Sequence, residues 1–316
     1  MKCIAIILPA YNEERTIAET IIGFFNAMPA AEIVVVNNNS TDLTRDIAQR
    51  TLSNLGANGR VIDEPRPGKG NAVRRAFLEA EADIYVLADA DQTYPAARVS
   101  ELIQPILDGR ADMVVGDRHS GGDYARANTR SFHGIGNRLV QWLVNKLFRA
   151  NLVDIMSGYR AFSRLFVKSY PVLVEGFEIE TDMTLHALHK RFRILEVPVE
   201  YRDRPEGSVS KLNTFSDGAK VLFAIAQILR YYQPLVFFGV IAGLACLAGL
   251  VAAVPVLKDW FSYRYIYHVP LAILASALEI LAMMLLGIGL TLDSLAHQQR
   301  MEYEKYLLLY KELMAK

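Results

Sequence analysis

Cysteine is nearly absent from this chain of 316 residues, which has only Cys3 and Cys246. The two lie far apart in apolar runs, so the sequence indicates neither a disulfide framework nor a cysteine zinc site. A net charge is also absent, because 34 lysine and arginine residues balance 34 aspartate and glutamate residues. This balance argues against a general polyanion binder, and we expect no nucleic acid among the partners. The first apolar run ends at Pro9, so we expect no signal peptide.

Long apolar runs occur only near the end of the chain. The 27 positions from Tyr231 to Leu257 hold no charged residue, and the run from Val269 to Leu292 holds one acid, Glu279. About 20 apolar residues in a helix span a bilayer. We therefore expect two transmembrane helices, at about 234–257 and 269–292 within a membrane region of 231–292. An even number of spans predicts that the soluble domain and both termini lie on one side, the cytoplasm.

The segments on either side of the spans complete the predicted organisation. Residues 1–212 are expected to form a soluble, cytoplasmic domain. Residues 213–230 have the pattern of an amphipathic helix that leads into the membrane, and 293–316 that of a second amphipathic helix. The second helix is expected to lie near the bilayer or against a neighbouring subunit of a homo-oligomer.

Short apolar strands alternate with helical patterns in the first part of the chain. This alternation predicts an α/β fold with a parallel sheet that helices cover on both faces. Ligands of such sheets bind at the carboxyl ends of the strands, so the residues that follow each strand are the candidates for a site. The predicted strands are Ile4–Leu8, Glu32–Val36, Arg60–Ile62, Ile84–Ala88 and Met113–Gly116.

Polar clusters follow the first three predicted strands. Asn12 comes after the first, and the run 37–42 (NNNSTD) after the second. Each can cap a helix, and together they place two polar clusters at one sheet edge. Gly68-Lys69-Gly70 follows the third strand. Its spacing is not that of an ATPase phosphate loop, but a glycine-flanked lysine at a helix start can meet a diphosphate.

Two carboxylates follow the fourth predicted strand, in the sequence Asp89-Ala90-Asp91. Their charges are costly to place side by side at the end of an apolar strand unless a positive group compensates them. A divalent cation with oxygen ligands, bridging to a diphosphate, is the natural partner. The position therefore favours a metal site over a surface turn.

These motifs, in this order, resemble family 2 glycosyltransferases of GT-A (Rossmann-like) fold. Three further segments, 157–160 (SGYR), 196–199 (EVPV) and 204–211 (RPEGSVSK), are similar to the polyprenyl-phosphate branch, the relatives of dolichol-phosphate mannose synthase. The resemblance covers roughly residues 3–220. It implies transfer of a sugar from a nucleotide-diphospho-sugar to polyprenyl phosphate at a lipid bilayer, with inversion and with Mg²⁺ or Mn²⁺ as cofactor.

The resemblance also implies a set of donor-site residues. The family often has two aspartates where this chain has Asn37-Asn38. An amide both donates and accepts, as the imide edge of uracil requires, so this departure favours a UDP-hexose over GDP-mannose. Asp89, Asp91 and Gln92 are implied as the metal site. The implied nucleotide-sugar site consists of Pro9, Tyr11, Asn12, Glu13, Asn38, Lys69, Asp89, Ala90 and Asp91.

A basic segment is hidden in the neutral chain. Nine basic residues against two acids lie between Arg118 and Lys168. Within it, 137–148 (NRLVQWLVNKLF) has the pattern of an interfacial helix on anionic lipid, or of a core-packed helix with solvated charges. A lipid phosphate requires cationic clamps, preferably arginine. By family position the expected clamps are Arg118, Arg130, Arg202, Arg204 and Lys211, and the expected catalytic residues are Asp89, Asp91, Arg118 and Arg204.

A phosphate acceptor changes the chemistry that the site must supply. Its second pKa is about 6, so its oxygen is largely ionised at neutral pH and needs positioning rather than a general base. Four acids, Asp154, Glu178, Glu180 and Asp182, are candidates for orienting the sugar or a clamp, or for capping helices.

Two alternatives stay open at this point. The segment 227–231 (QILRY) is similar to a motif of processive polysaccharide synthases, although two spans make a poor polymer channel. The second alternative is a degenerate, non-catalytic, nucleotide-binding scaffold subunit of a membrane assembly. An intact Asp89/Asp91 pair argues against the scaffold.

Overall fold

The computed structural model describes residues 2–120, 131–176, 178–200 and 217–314. The chain divides into two compact units, Met1–Phe215 and Ser216–Lys316.

The first unit is built on a sheet in which the described residues form seven strands. Their order across the sheet is β3-β2-β1-β4-β6-β5-β7. The strands are β1 Ile4–Ala10, β2 Glu32–Asn37, β3 Gly59–Asp63, β4 Ile84–Leu87, β5 Met113–Asp117, β6 Arg160–Ser163 and β7 Ile194–Pro198.

The prediction of a parallel sheet holds for the four strands β3, β2, β1 and β4, but it is wrong for the sheet as a whole. Strands β3, β2, β1 and β4 are parallel, as are β5 and β7. Strand β6 is antiparallel to both of its neighbours, β4 and β5, so the sheet is mixed. Such a strand does not need a helical crossover on each side, and β6 therefore escapes a pattern of alternating strands and helices.

Helices cover the sheet on both faces, as predicted. Successive side chains of β1, such as Ile6 and Ile7, point to opposite faces and are both fully buried. The larger core cluster joins Ile6 to Ile17 and Leu102. The helices of this unit are α1 Ile17–Ala27, α2 Thr44–Leu55, α3 Lys69–Glu79, α4 Val99–Leu107, α5 Ser131–Phe148, α6 Arg164–Ser169 and α7 Ile179–His189.

The second unit consists of three helices, α8 Asp217–Tyr232, α9 Pro234–Tyr263 and α10 Val269–Met314. Helices α9 and α10 are long and apolar enough to cross a membrane. The predicted second span and the predicted C-terminal helix form one continuous helix, since no glycine or proline interrupts the residues after Leu292. Helix α9 also extends beyond residue 257, the predicted end of the first span, to Tyr263.

Small residues let α9 and α10 approach each other closely. A Cβ added at Gly249 would lie 2.6 Å from Oε1 of Glu279, and one at Gly289 would lie 3.1 Å from Cβ of Phe238. The connection between the helices is closed by Asp259, whose Oδ2 accepts from the backbone N–H of Tyr267 at 2.9 Å. Each contact is formed within the hairpin, so the two apolar helices make one packed pair.

Candidate active site

The loops after β1 and β2 are joined side by side at the carboxyl edge of the sheet. Asn12 has a left-handed φ of 55°. Its Oδ1 accepts from the backbone N–H of Thr41 at 2.8 Å, and its own N–H donates to Oγ of Ser40 at 3.0 Å. The Glu13 N–H donates to Oγ1 of Thr44 at 2.7 Å. The two polar clusters therefore form one network.

The other residues predicted in the first loop surround this network. Pro9 lies in β1, paired with Val36 of β2. The side chain of Tyr11 is exposed at the same edge of the sheet. A carboxylate oxygen of Glu13 accepts from the hydroxyl of Thr16 at 3.0 Å, just before α1 begins. The structure thus brings together the part of the predicted nucleotide site that follows β1.

Asn38 ties the second loop to the third. Its amide donates to the carbonyls of Glu64 at 3.4 Å and Arg66 at 2.7 Å, and its oxygen accepts from the N–H of Gly68 at 2.9 Å. Both amide hydrogens are used within the protein. Asn38 is therefore placed to shape the loop before Lys69, and its contact with a nucleotide base stays a prediction.

The glycines beside Lys69 allow the chain to pack against residues 174–175. A Cβ on Gly68 would lie 2.2 Å from the carbonyl oxygen of Glu175, and one on Gly70 would lie 2.0 Å from that of Val174. The N–H of Gly70 donates to the Glu175 carbonyl at 2.9 Å. Gly68 also has a φ of 121°, which side chains rarely adopt. The glycines are therefore needed for a backbone contact, and the lysine between them turns inward.

Lys69 is bonded to two carboxylates. Its Nζ donates to Oδ1 of Asp89 and, at 2.5 Å, to Oε1 of Glu180 on α7. Burial by itself lowers the pKa of Lys69, but the charges of Asp89 and Glu180 outweigh burial and raise it above its ordinary value. The ammonium is a permanent charge at neutral pH. The described partners of Lys69 are thus the carboxylates of Asp89 and Glu180, and its contact with a diphosphate stays a prediction.

The loop after β4 holds the second predicted carboxylate, Asp91, in a fixed position. Asp91 is buried, and its Oδ1 accepts from the hydroxyl of Thr93 at 2.6 Å. The carbonyl of Ala90 accepts from the hydroxyl of Thr20 on α1 at 3.1 Å. Gln92 donates to Oε2 of Glu19 on α1 at 2.8 Å. The described contacts of Gln92 are thus with α1, and its role in metal binding stays a prediction.

The donor atoms of this loop suit Mg²⁺ or Mn²⁺. Asp89 and Asp91 offer carboxylate oxygens, which are the ligands that these hard cations prefer. Among the described residues, no three His, Cys, Asp or Glu side chains make a complete metal-binding group. A cation held by Asp89 and Asp91 would therefore need further oxygen atoms, such as those of a bound diphosphate.

Tyr94 and Gly158 border the Asp89–Lys69 pair. The hydroxyl oxygen of Tyr94 accepts from the N–H of Gly158 at 2.9 Å. A Cβ on Gly158 would lie 2.9 Å from Oδ2 of Asp89 and 3.0 Å from Nζ of Lys69. Burial raises the pKa of Tyr94, while the nearby charge of Arg118 acts to lower it. Arg118 therefore lies within electrostatic reach of the same small region.

Arg118, a predicted phosphate clamp, forms an ion pair with the buried carboxylate of Asp154. Its Nε and Nη2 donate to the two carboxylate oxygens of Asp154 at 2.7 and 2.9 Å. Burial alone would raise the pKa of Asp154, but the hydrogen bonds and charge of Arg118 bring it below its ordinary value. The N–H of Asp154 in turn donates to Oε1 of Glu196 at 2.7 Å. Such a planar two-bond contact fixes the direction of the guanidinium.

Arg160 supports the loop that carries Asp154. It is fully buried, and it donates to the carbonyls of Ser157 and Ile155, each at 2.7 Å, and to Oγ1 of Thr184 at 2.9 Å. Its role is structural, because three oxygen acceptors satisfy it inside the protein.

Helix α5 contains the predicted basic amphipathic segment. Val140 and Val144 are buried, whereas Leu139 and Trp142 are exposed, and Nζ of Lys146 lies 4.8 Å from the centre of the Trp142 ring. The helix thus has an apolar inner side and an outer side that combines apolar and basic residues, as in interfacial helices.

Several predicted residues lie outside the described part of the chain. They are Arg130, Arg202, Arg204 and Lys211. Of the four candidate acids, Asp154 pairs with Arg118 and Glu180 pairs with Lys69. Asp182 accepts from the hydroxyl of Tyr170 at 2.6 Å, and Glu178 lies at the N-terminus of α7, where its side chain makes no capping hydrogen bond. Sequence reasoning missed the Lys69–Glu180 pair, Tyr94 and Gly158. Tyr94 follows the aspartates directly and could have been noticed by position.

A comparison with protein families fits this geometry. The model described as "Glycosyl transferase family 2" matches residues 5–170, which span β1 to β6 apart from Ile4 and include Lys69, Asp89, Asp91, Arg118 and Asp154. The chain belongs to this family. The resemblance deduced from the motifs is confirmed, and so is the α/β fold of GT-A type.

Two relatives of this glycosyltransferase come from Haloferax volcanii. Glycosyltransferase AglJ is 29% identical over 302 residues, which are 95% of this chain and 96% of that protein. A dolichyl-phosphate hexose transferase is 29% identical over 225 residues, which are 71% of this chain and 93% of that protein. The relatives thus match the polyprenyl-phosphate branch of the family.

A solved structure with the same fold is the glucosyl-3-phosphoglycerate synthase from Mycobacterium tuberculosis in complex with Mn²⁺, UDP and phosphoglyceric acid. The sequences are 25% identical, the TM-score is 0.54, and the match covers 72% of this chain and 78% of that chain. That structure thus holds Mn²⁺ and UDP within a fold similar to that of this chain.

Proposed function

We propose that this glycosyltransferase moves a hexose, with inversion, from a nucleotide-diphospho-sugar to polyprenyl phosphate in a membrane. The observation that carries the proposal is Arg118, whose guanidinium Asp154 fixes with two hydrogen bonds. Its charge acts on Tyr94, which lies in the loop that follows Asp91. A fixed guanidinium beside the donor loop suits an acceptor that is a phosphate. The apolar helices α9 and α10 of the same chain suit an acceptor that is a lipid.

The residues of the site would divide the work between donor and acceptor. The loops with Tyr11, Asn12 and Glu13 would border the nucleotide, and Asp89 and Asp91 would hold Mg²⁺ or Mn²⁺. When bound, such a cation stabilises the negative charge of the departing nucleoside diphosphate. Arg118 would orient the acceptor phosphate and screen its charge. Arg130, Arg202, Arg204 and Lys211 are proposed as additional clamps by their sequence position.

The acceptor makes a general base unnecessary. A phosphate monoester is mostly ionised at neutral pH, so its oxygen can attack the anomeric carbon once it is placed in line. Asp154 fits this scheme because its lowered pKa makes it a poor proton acceptor and a lasting anchor for Arg118. The protein then has to position two anions and neutralise them.

A UDP-hexose is the proposed donor. The related synthase with bound UDP supports this choice, whereas the amide of Asn38 gives no support, since its hydrogens bond within the protein. The proposed location is a multi-pass membrane protein, with the catalytic unit and both termini in the cytoplasm and a homo-oligomer as its assembled form. The exposed Trp142 and the adjacent Lys146 of α5 suit contact with anionic lipid.

The test is a transfer assay with the purified full-length protein in detergent or nanodiscs. A panel of UDP- and GDP-sugars is offered together with one polyprenyl phosphate, and the lipid-linked product is identified by mass spectrometry. We expect one UDP-hexose to give a polyprenyl-phosphate monosaccharide that needs Mg²⁺ or Mn²⁺. Equal transfer to free sugars, growth of a polymer, or the absence of any transfer would contradict the proposal.

A further inference from the structure

The ammonium of Lys69 and the proposed metal share a ligand, because Lys69 is already bonded to Asp89. This inference rests on the proposed function, since it takes Asp89 and Asp91 as the cation site. A divalent cation on Asp89 would have to share that carboxylate with the ammonium or displace it.

We propose that Lys69 competes with the divalent cation for Asp89, so that the free protein binds the cation weakly and binds it well only together with the donor. Glu180 is the positioning residue in this arrangement, since it holds the ammonium when Asp89 turns to the cation. The donor diphosphate then offsets the positive charges of both the ammonium and the cation.

Burial explains why a second carboxylate is needed. The side chains of Lys69 and Glu180 are only 9% and 8% exposed. An ammonium at this depth is costly to leave without a carboxylate partner. Glu180 keeps Lys69 paired at 2.5 Å whether or not Asp89 stays bonded to it. Lys69 can therefore give up Asp89 without becoming an isolated buried charge.

The charges of the cluster explain why the donor would matter. Asp89, Asp91 and Glu180 carry three negative charges, and Lys69 carries one positive charge. A cation at Asp89 would be repelled by the ammonium close to it, and the repulsion is strong where water is scarce. A diphosphate adds negative charge and attracts both groups. By linkage, the donor raises the affinity for the cation by the same factor as the cation raises the affinity for the donor.

The surrounding backbone keeps Lys69 in place. Gly68 and Gly70 pack against residues 174–175 with no room for a side chain, and Gly158 lies against both Lys69 and Asp89. The start of α3 is thus fixed on three sides, so the ammonium has little freedom to move away from the carboxylates.

The experiment measures Mn²⁺ affinity of the full-length protein in detergent by the electron paramagnetic resonance signal of free Mn²⁺, with and without UDP. We expect Lys69→Met to bind Mn²⁺ at least about tenfold more tightly than wild type without UDP, and UDP to improve its affinity less. The control is Lys168→Met, because Lys168 forms a similar ion pair with Glu81 at 2.6 Å outside this cluster. It should behave as wild type.

A second variant tests Glu180 as a positioning residue. In Glu180→Gln the ammonium loses one carboxylate and depends more on Asp89, so Mn²⁺ affinity without UDP should fall several-fold below that of wild type. In the double variant Lys69→Met/Glu180→Gln this decrease should shrink to less than about twofold, because Glu180 acts through Lys69. A decrease of the same size in both backgrounds would show that Glu180 acts on the cation directly and would contradict its assigned role.

Several outcomes would overturn the inference. Unchanged or weaker Mn²⁺ binding in Lys69→Met would do so, while product formation by wild type would leave the proposed function intact. Absence of Mn²⁺ binding in all variants, even with UDP, would remove both the inference and the metal of the proposed function. If circular dichroism shows that Lys69→Met does not fold, Lys69→Gln and Glu180→Gln carry the same test.

Discussion

The two units of this chain place opposite kinds of side chain in opposite surroundings. In the first unit, charged groups such as Lys69, Asp154 and Arg160 are buried, and each bonds to an opposite charge or to carbonyl oxygens. In the second unit, large apolar residues such as Leu244 and Val251 are 63% and 64% exposed. The first unit thus buries its charges together with their partners, whereas exposed apolar surface of this extent in the second unit is suited to lipid.

Removing one charge from the Asp89 loop should have the largest effect. Asp91→Asn keeps an acceptor for the Thr93 hydroxyl but removes the negative charge that a cation requires. We expect the rate of lipid-linked product formation to fall by about 10³-fold, with an unchanged circular dichroism spectrum. Glu101→Ala removes an exposed acid paired with Arg98 at 2.5 Å, and should stay within about twofold of wild type. Full activity in Asp91→Asn would show that the reaction does not require the negative charge of Asp91.

Breaking a buried ion pair should have the next largest effect. Asp154→Asn leaves the guanidinium of Arg118 facing an amide instead of a carboxylate, and we expect the free energy of unfolding to fall by about 3 kcal/mol. Acceptor KM should also rise more than donor KM. Urea unfolding in detergent and steady-state kinetics measure the two effects.

A matched pair elsewhere in the unit is the control for Asp154. Asp112 binds Arg193 with the same two-bond geometry, with both distances at 3.0 Å, but the arginine is largely exposed. Asp112→Asn should therefore cost about 1 kcal/mol or less. Equal losses in the two variants would mean that burial does not distinguish them.

The second unit offers a pair of glycines that differ only in their surroundings. A Cβ at Gly249 would meet Glu279 and the Ala275 carbonyl, whereas one at Gly243 would meet no atom within 4 Å. Gly249→Leu should destabilise the helix pair by about 2 kcal/mol through overpacking, and Gly243→Leu by less than about 0.5 kcal/mol. Thermal unfolding in detergent measures both. Equal effects would show that α9 and α10 do not pack through Gly249.

The smallest effect concerns a buried histidine. His186 lies among Phe166, Tyr170 and Phe192, and burial, helped by the charges of Lys190 and His189, lowers its pKa to about 3. His186 takes up a proton near pH 6.5 in the unfolded chain, but only near pH 3 in the folded chain. His186 therefore contributes stability that is present above pH 6.5 and is lost as the pH falls. Between pH 7 and 5.5 the loss should be about 1 kcal/mol.

The variant His186→Phe should remove this pH dependence from the free energy of unfolding, measured in urea at several pH values. Phe166→Leu is the control, because it weakens the same aromatic cluster without removing a titrating group. It should lower stability at every pH and keep the slope. An unchanged slope in His186→Phe would assign the proton uptake to another group.

The sequence predicted those features that depend on local pattern. The exits of β1, β2 and β4 were located correctly because buried strands are apolar runs and the polar residues begin where they end. The antiparallel β6 was not predicted, since four residues that begin with an arginine do not resemble a buried strand. Arg160 is nevertheless fully buried, and only the tertiary structure supplies the oxygen atoms that make this possible.

The partners of the site residues could be predicted only in part. Arg118 and Asp154 were both candidates, but their pairing depends on how the chain returns to the sheet. Lys69 and Glu180 are 111 residues apart, and no periodicity connects them. For Asn38, the residue type suggested base recognition, but the sequence could not show that the amide bonds to the loop before Lys69.

The close packing at Gly70 links two distant parts of the chain mechanically. Any side chain there would force residues 174–175 outward, and these residues lead directly into α7, which carries Glu180. A substitution at Gly70 would thus shift Glu180 relative to Lys69, although Gly70 contacts neither side chain. Attempts to alter the donor preference of this enzyme should therefore leave both glycines untouched and vary Tyr11, whose side chain is exposed at the carboxyl edge of the sheet.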